Sequence, residues 1–199
     1  MMHVIIIGDL VNSRSLHSST WLNVLEEALT KYSKKFDIFR GDSFQAELQL
    51  ENCLDAIYYI KSRIKSLENL DVRIGLGIGG IDYVDNYIKN STGEAFIYSG
   101  EAFDHLNKDL FAAKSAFPEW DNVTNTMMSL AMELANKWTV NMAETVAVAI
   151  EYPNYNQKEL AKILKRKYQS QISTELGKAN WWKIKKAIDY CQIELMKIC

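Results

Sequence analysis

The stretch Phe39-Arg40-Gly41-Asp42-Ser43-Phe44 lies between two short apolar runs, Phe36 to Phe39 and Phe44 to Leu50. Gly-Asp between two such runs predicts a tight hairpin, because glycine takes the positive φ that a two-residue turn needs. A hairpin at this point constrains everything around it. The run His3 to Gly8 before it is apolar and β-branched, which predicts a strand buried on both faces. Between that strand and the hairpin, Trp21, Leu22, Leu25, Ala28, Leu29 and Tyr32 recur at helical spacing, with Ser18, Ser19 or Thr20 as the cap. After the hairpin, Leu54, Ile57, Tyr58, Ile60, Ile64 and Leu67 predict a second amphipathic helix over Glu51 to Leu67. Asp71 to Gly79 then alternates β-branched and aliphatic residues with arginine and glycine, a strand whose glycines allow another backbone or a ligand to come close. The order is strand, helix, strand, strand, helix, strand, the ferredoxin-like βαββαβ arrangement, which sets the first and third strands side by side.

The second half reads differently. Gly80 to Asn90 is a polar loop of tyrosines and acids, and Ser91 to Leu106 includes a helix expected to break or bend near Gly100. Leu110 to Phe117 predicts one more strand, ended by Pro118. From about Asp121 the pattern is all helical. Met127, Met128, Leu130, Ala131, Leu134 and Trp138 form one apolar stripe and Val140 to Ile150 the next. Asn156 caps a short helix, and Trp181-Trp182 opens the last one. The expected division is a 1–118 α/β (α+β) domain followed by a 119–199 helical module.

Composition narrows the setting. Apolar residues at 48% supply a core, and charged residues at 24% are ordinary for a globular chain. The three cysteines, Cys53, Cys191 and Cys199, form no close pair, which argues against a disulfide framework or zinc ribbon and for a reducing compartment. The opening apolar run is too short for a signal peptide or a spanning helix, so the cytoplasm is expected and no membrane partner is. The net charge of −2 conceals an asymmetry. Residues 156–199 hold ten Lys/Arg against four Asp/Glu, and the remainder holds thirteen against 21. A basic end on an acidic body suggests different partners for the two parts.

Two acids stand where chemistry could gather. Asp9 closes the first strand and Asp42 sits in the hairpin turn, so neighbouring strands would bring both carboxylates to one end of the sheet. Convergent carboxylates ionise together only with cations between them, and hard oxygen ligands suit Mg2+ or Mn2+. Two cations so held would support nucleotidyl transfer, with Asp9 and Asp42 as catalytic and metal residues. The alternative is that Asp9 caps a turn and Asp42 is simply a favoured turn residue. Arg14, Arg40 and Arg73 are candidate phosphate clamps, or surface ion-pair residues. Glu94 and Glu101 could complete a metal shell, pair with the arginines, or face solvent.

Asp9 after a first strand, Gly41-Asp42 in a hairpin and Val72 to Gly79 together resemble the palm domain of class III nucleotide cyclases and diguanylate cyclases. A closer resemblance is to the SatD family of bacterial proteins, through Gly8-Asp9-Leu10-Val11-Asn12-Ser13-Arg14, Phe39 to Gln45, and Gly93-Glu94-Ala95-Phe96. The resemblance covers most of the chain and implies a cyclase-type palm, with no assigned activity to carry over. It places Asn12, Ser13, Arg14, Arg40, Gly41, Ser43, Arg73, Glu94, Asp104 and Lys108 around a nucleotide. The segment Gly100 to Asp104 departs from the cyclase pattern: Asp104 and Lys108 stand where cyclases carry an asparagine and an arginine. The purine-selecting lysine has no counterpart near Ile38 or Arg40, and Arg40 replaces the first glycine of the diguanylate cyclase signature.

Gln157 to Ala179 resembles a helix-turn-helix, spanning about 156–180, with Leu160, Ala161, Leu164, Ile172 and Leu176 inward. Its Leu164 to Ile172 interval is one residue longer than the commonest spacing. In such motifs the second helix enters the major groove, so Ser170, Gln171, Ser173, Thr174 and Lys178 would meet bases or phosphates. Lys165, Arg166, Lys167, Lys183, Lys185 and Lys186 would add phosphate attraction. A plain helical bundle with lysines outside is the alternative. The expected function is a purine-nucleotide- and metal-binding regulator that binds DNA, acting as a homodimer. The rivals are an active nucleotidyl cyclase or oligonucleotide synthase, and a scaffold with an empty palm.

Overall fold

The computed structural model describes residues 2–199. Five strands form one mixed sheet in the order β2-β3-β1-β4-β5. They are β1 (His3–Val11), β2 (Phe36–Phe39), β3 (Ser43–Leu48), β4 (Asp71–Gly79) and β5 (Phe111–Ser115). Helices α1 (Ser18–Tyr32) and α2 (Cys53–Lys65) complete the βαββαβ unit, so β1 lies between β3 and β4, antiparallel to both. Helix α3 (Glu94–Asp104) then crosses over to β5, which adds parallel to β4.

Period-two alternation sorts the two faces of the sheet. Val4, Ile6 and Leu10 of β1, Phe44 and Ala46 of β3, and Val72, Ile74 and Leu76 of β4 point to one side. There they bury against Leu25 and Leu29 of α1 and Leu54 and Ile57 of α2. The other side carries Ile5, Asp9, Ser43, Gln45 and Arg73, and α3 covers only part of it.

Glycine makes that coverage possible. A Cβ on Gly77 would stand 2.1 Å from the Ala95 carbonyl oxygen and 2.3 Å from the Ser99 nitrogen, and one on Gly75 would stand 2.5 Å from the Phe103 nitrogen. The partner that the β4 glycines admit is therefore the α3 backbone. Helix α3 also runs unbroken through Gly100, correcting the expected bend. A lone glycine lowers helix propensity by only about 1 kcal/mol, and packing on β4 outweighs that.

Other boundaries shift for local reasons. Strand β1 continues past Gly8 to Val11, because Asp9, Leu10 and Val11 find partners on β4. The hairpin turn has three residues, Arg40 to Asp42, with φ of 51° at Arg40 and 91° at Gly41. Pro118 opens α4 (Pro118–Asn136) at its first turn, where a missing N–H costs nothing. The Asn125 side chain of α4 bonds both backbone groups of Ala113, N–H at 2.7 Å and C=O at 2.9 Å, capping the outer edge of β5.

The remaining helices are α5 (Val140–Glu151), α6 (Gln157–Ile163), α7 (Gln169–Lys178) and α8 (Trp181–Ile198). One hydrophobic cluster runs from Val4 in the sheet to Leu195 in α8. Polar ties reinforce it. Gln192 of α8 donates to the Leu50 carbonyl at 2.6 Å and accepts from the Leu54 N–H at 3.3 Å. The Trp120 indole donates to the Cys191 carbonyl at 2.9 Å.

Among the described residues, Lys61 is the one charged side chain with 0% exposure, donating to Asp71 at 2.7 Å and to Asn136 at 2.9 Å. Lys65 holds the other Asp71 oxygen at 3.1 Å. Burial pulls the Lys61 pKa below its ordinary value, against the opposing pull of Asp71. The unfolded chain therefore binds more protons at alkaline pH, and stability relative to Lys61→Met rises as pH climbs towards the ordinary lysine value of about 10.4. Chemical denaturation of both proteins across that range checks this. In thermal melts, Gly77→Ala should cost about 1–3 kcal/mol or more through the α3 clash. Gly100→Ala, with open space at its Cβ, should gain about 0.5–1 kcal/mol.

Candidate functional site

Strand register builds the site. Asp9 lies opposite Arg73 on β4 and Ser43 on β3, on the face that α3 leaves partly open. The Arg73 guanidinium takes both Asp9 oxygens, through Nε at 2.9 Å and through the second nitrogen in a shorter contact. Asp9 is 22% exposed and Arg73 38%. The Phe103 ring of α3 lies 5.5 Å from the guanidinium carbon. The hydrogen bond from Arg73 to Asp9, helped by the charges of Asp9 and Asp42, raises the Arg73 pKa above its ordinary value.

Asp42 arrives from the hairpin turn. The Leu10 N–H donates to its carbonyl at 3.2 Å, folding the turn against β1. Ser13 donates its hydroxyl to the Asp42 carboxylate. Asn12 just before it is left-handed, with φ of 63°, and donates to the Asn69 carbonyl at 3.3 Å. Arg14 and Arg40 are exposed on the two loops flanking this end.

The expected residues divide by position. Asp9, Asn12, Ser13, Arg14, Arg40, Gly41, Asp42, Ser43 and Arg73 gather at one end of the sheet. Asp104 ends α3 beside Phe103 at that same end, and Lys108 follows in an exposed loop. Glu94 does not join them. It begins α3 beside Gly79 and Gly80, where β1 starts, and the eleven-residue helix separates it from Asp104 by about 15 Å. Glu101 pairs with Lys114 of β5 at 2.5 Å.

The donor set decides how a cation could sit here. Both Asp9 oxygens are held by Arg73, and one Asp42 oxygen by Ser13. Among the described residues, no three His, Cys, Asp or Glu side chains cluster to hold a metal ion. This arrangement does not fit a two-cation centre. It leaves one Asp42 oxygen for a single hard cation that brings further oxygen ligands with it.

The second candidate surface is α7. Ser170, Gln171, Ser173, Thr174 and Lys178 are all exposed, while Ile172 and Leu176 are buried against α5 and α6. A five-residue turn joins α6 to α7, with Lys165 in it at φ 52°. Asn156 closes a full capping box on α6 with Glu159. Ser170, Gln171, Thr174 and Lys178 line a groove of about 380 Å3 beside Thr139, Asn141 and Met142. Of the expected basic set, Lys165, Lys167, Lys183 and Lys186 are exposed. Arg166 instead pairs with Glu144 at 3.0 Å and Glu175 at 3.4 Å, tying the turn to α5 and α7. Lys185 pairs with Asp55 and Asp189.

Phe103 was not singled out by sequence. Its role as a shelf for Arg73 depends on α3 crossing β4, and the signal for that was the glycine alternation from Gly75 to Gly79.

A family model described as the SatD family matches residues 3–184. No curated protein sequence matches the chain. Among solved structures, a bacterial light-regulated adenylyl cyclase is similar at 15% identity and a TM-score of 0.45. That match covers 57% of this chain and 43% of the cyclase chain.

A double-mutant cycle on Asp9→Ala and Arg73→Ala should give a coupling of about 0.2–1 kcal/mol, since both groups are partly solvated. Denaturation at low and high salt should show that coupling shrink as salt rises.

Proposed function

The chain belongs to the SatD family, and from the two surfaces described above we propose a nucleotide-responsive regulator that binds DNA. The observation that carries the reading is the face of α7. It presents hydroxyls, an amide and a lysine outward at the positions that would meet base edges and phosphates, while its apolar residues anchor it. The four exposed lysines Lys165, Lys167, Lys183 and Lys186 supply the sequence-independent attraction to phosphate.

The sheet end supplies the nucleotide half. Arg14, Arg40 and Arg73 are planar donors suited to phosphate oxygens. The half-open sheet face beside Phe103 offers an aromatic ring and the polar groups of Ser43 and Gln45 to a purine. Magnesium would arrive with the phosphates and be held by Asp42, where it neutralises phosphate charge. Asp9 stays engaged by Arg73, which favours binding over the two-cation transfer chemistry of an active cyclase. The cyclase-type palm, the cytoplasmic setting and a homodimer presenting two copies of α7 to a twofold DNA site belong to the same proposal.

Two measurements test it. Fluorescence anisotropy with a labelled duplex should show affinity falling steeply with salt, and Lys178→Ala should reduce the log–log salt slope by about 1. An α7 variant that binds as wild type does would remove DNA from the reading. Incubation with labelled ATP or GTP and magnesium should leave retained, unconverted nucleotide that Asp42→Ala loses. A cyclic or linked product lost in the same variant would make the protein an enzyme instead.

A further inference from the structure

A cavity of about 300 Å3 lies where α1 and α2 meet the α5–α6 loop and the start of α8. It is at the opposite side of the sheet from Asp9 and separate from the outer face of α7. Its walls are aromatic: Tyr32, Tyr152, Tyr155, Trp181 and Trp182. Tyr152 and Tyr155 pack with ring centroids 5.0 Å apart, and Trp181 is a buried wall while Trp182 is 60% exposed at the mouth. Lys31, Arg63, Arg73, Lys89, Lys114 and Lys167 lie over other rings of the protein. Among the described residues, none of the five rings lining this cavity has a cation over its face.

The polar groups at the cavity include a carboxylate, an amide and an ammonium. Asp55, Asn52 and Lys185 line it; the Asn52 Oδ1 atom is buried without a hydrogen-bond partner, while the Asp55 carboxylate is held by Lys185. A donor delivered to that unpartnered amide oxygen is favoured. The group nearest Asp55 is an ammonium: Lys185 Nζ stands 3.0 Å from it. Lys185 also holds Asp189 at 2.5 Å, one helical turn away on α8. It can therefore release Asp55 without losing its charge partner. Aromatic faces, a carboxylate and an unpartnered amide oxygen are together the chemistry that recognises a cation with an apolar body.

We propose that this cavity binds a small organic ammonium ion, whose charged head replaces Lys185 on Asp55 while its apolar body lies among the tyrosines and tryptophans. The site joins the βαββαβ unit to the helices that carry α7, so the ligand would bridge the two parts. The proposal is independent of nucleotide or DNA binding.

Isothermal titration calorimetry of the full chain tests it, with phenethylammonium and choline as probes and 2-phenylethanol as the neutral control. The ammonium probes should bind at one site and the alcohol should bind about tenfold more weakly or worse. Trp182→Ala, at an exposed position that leaves the core intact, should weaken the ammonium probes several-fold. Asp55→Asn should weaken them by about tenfold or more. Lys185→Met should tighten them, because it removes the competing ammonium; a purely structural Lys185–Asp55 tie predicts no gain. Binding by neither ammonium, equal binding of the alcohol, or unchanged affinity in Trp182→Ala and Lys185→Met would each overturn the proposal. Thermal melts identify any variant that fails to fold, and the Trp182 and Lys185 variants then decide alone.

Discussion

The close approach of α3 to β4 governs how the rest of the molecule is used. Three glycines on one face of β4 remove the side chains that would hold a helix at an ordinary distance. With α3 seated there, the β4 and β5 half of that sheet face is closed. The β3 and β1 half stays open at the Asp9 end. The same seating brings Phe103 over Arg73, and Arg73 in turn holds both oxygens of Asp9. One packing constraint thus sets both the shape and the charge of the candidate nucleotide site.

The other face works by ordinary burial. Its apolar cluster continues without a break from the sheet into α4, α5 and α8, so the helices that carry α7 are packed onto the βαββαβ unit. Gln192 extends that packing by satisfying two backbone groups of the segment entering α2. A change of position in α8 would therefore be felt at α2, and the reverse. This is a physical basis for coupling between a ligand on one part and a surface on the other, carried by contacts rather than by a linker.

Charge is distributed in two regimes. Arg166, Lys185 and Lys61 are engaged in internal ties between elements of the fold. Lys165 and Lys167, in the turn before α7, and Lys183 and Lys186, on α8, remain in solvent. The positive balance of residues 156–199 is thus partly structural, and the share left for an anionic partner is smaller than the bare count of ten basic residues. Asp9 follows the same logic at the sheet end, where a guanidinium on the neighbouring strand removes the need for a cation between the acids.

Much of the fold was legible in the chain, because it rests on local periodicity. β-branched runs, the 3.6-residue stripes and the turn at Gly41 gave the βαββαβ order, and the Asn156 cap and the spacing of Leu160, Ile172 and Leu176 gave α6 and α7. Positions along one element were also legible, as with the exposed face of α7. What tertiary structure alone decided was pairing across elements. That Arg73 would meet Asp9, that Ser13 would take Asp42, and that Glu94 would start at the far end of the sheet all depend on strand register and on the path of α3. Those are long-range packing outcomes, and neither spacing nor composition encodes them locally. The same holds for Gly100, which local propensity marked as a break and packing against β4 kept in a continuous helix.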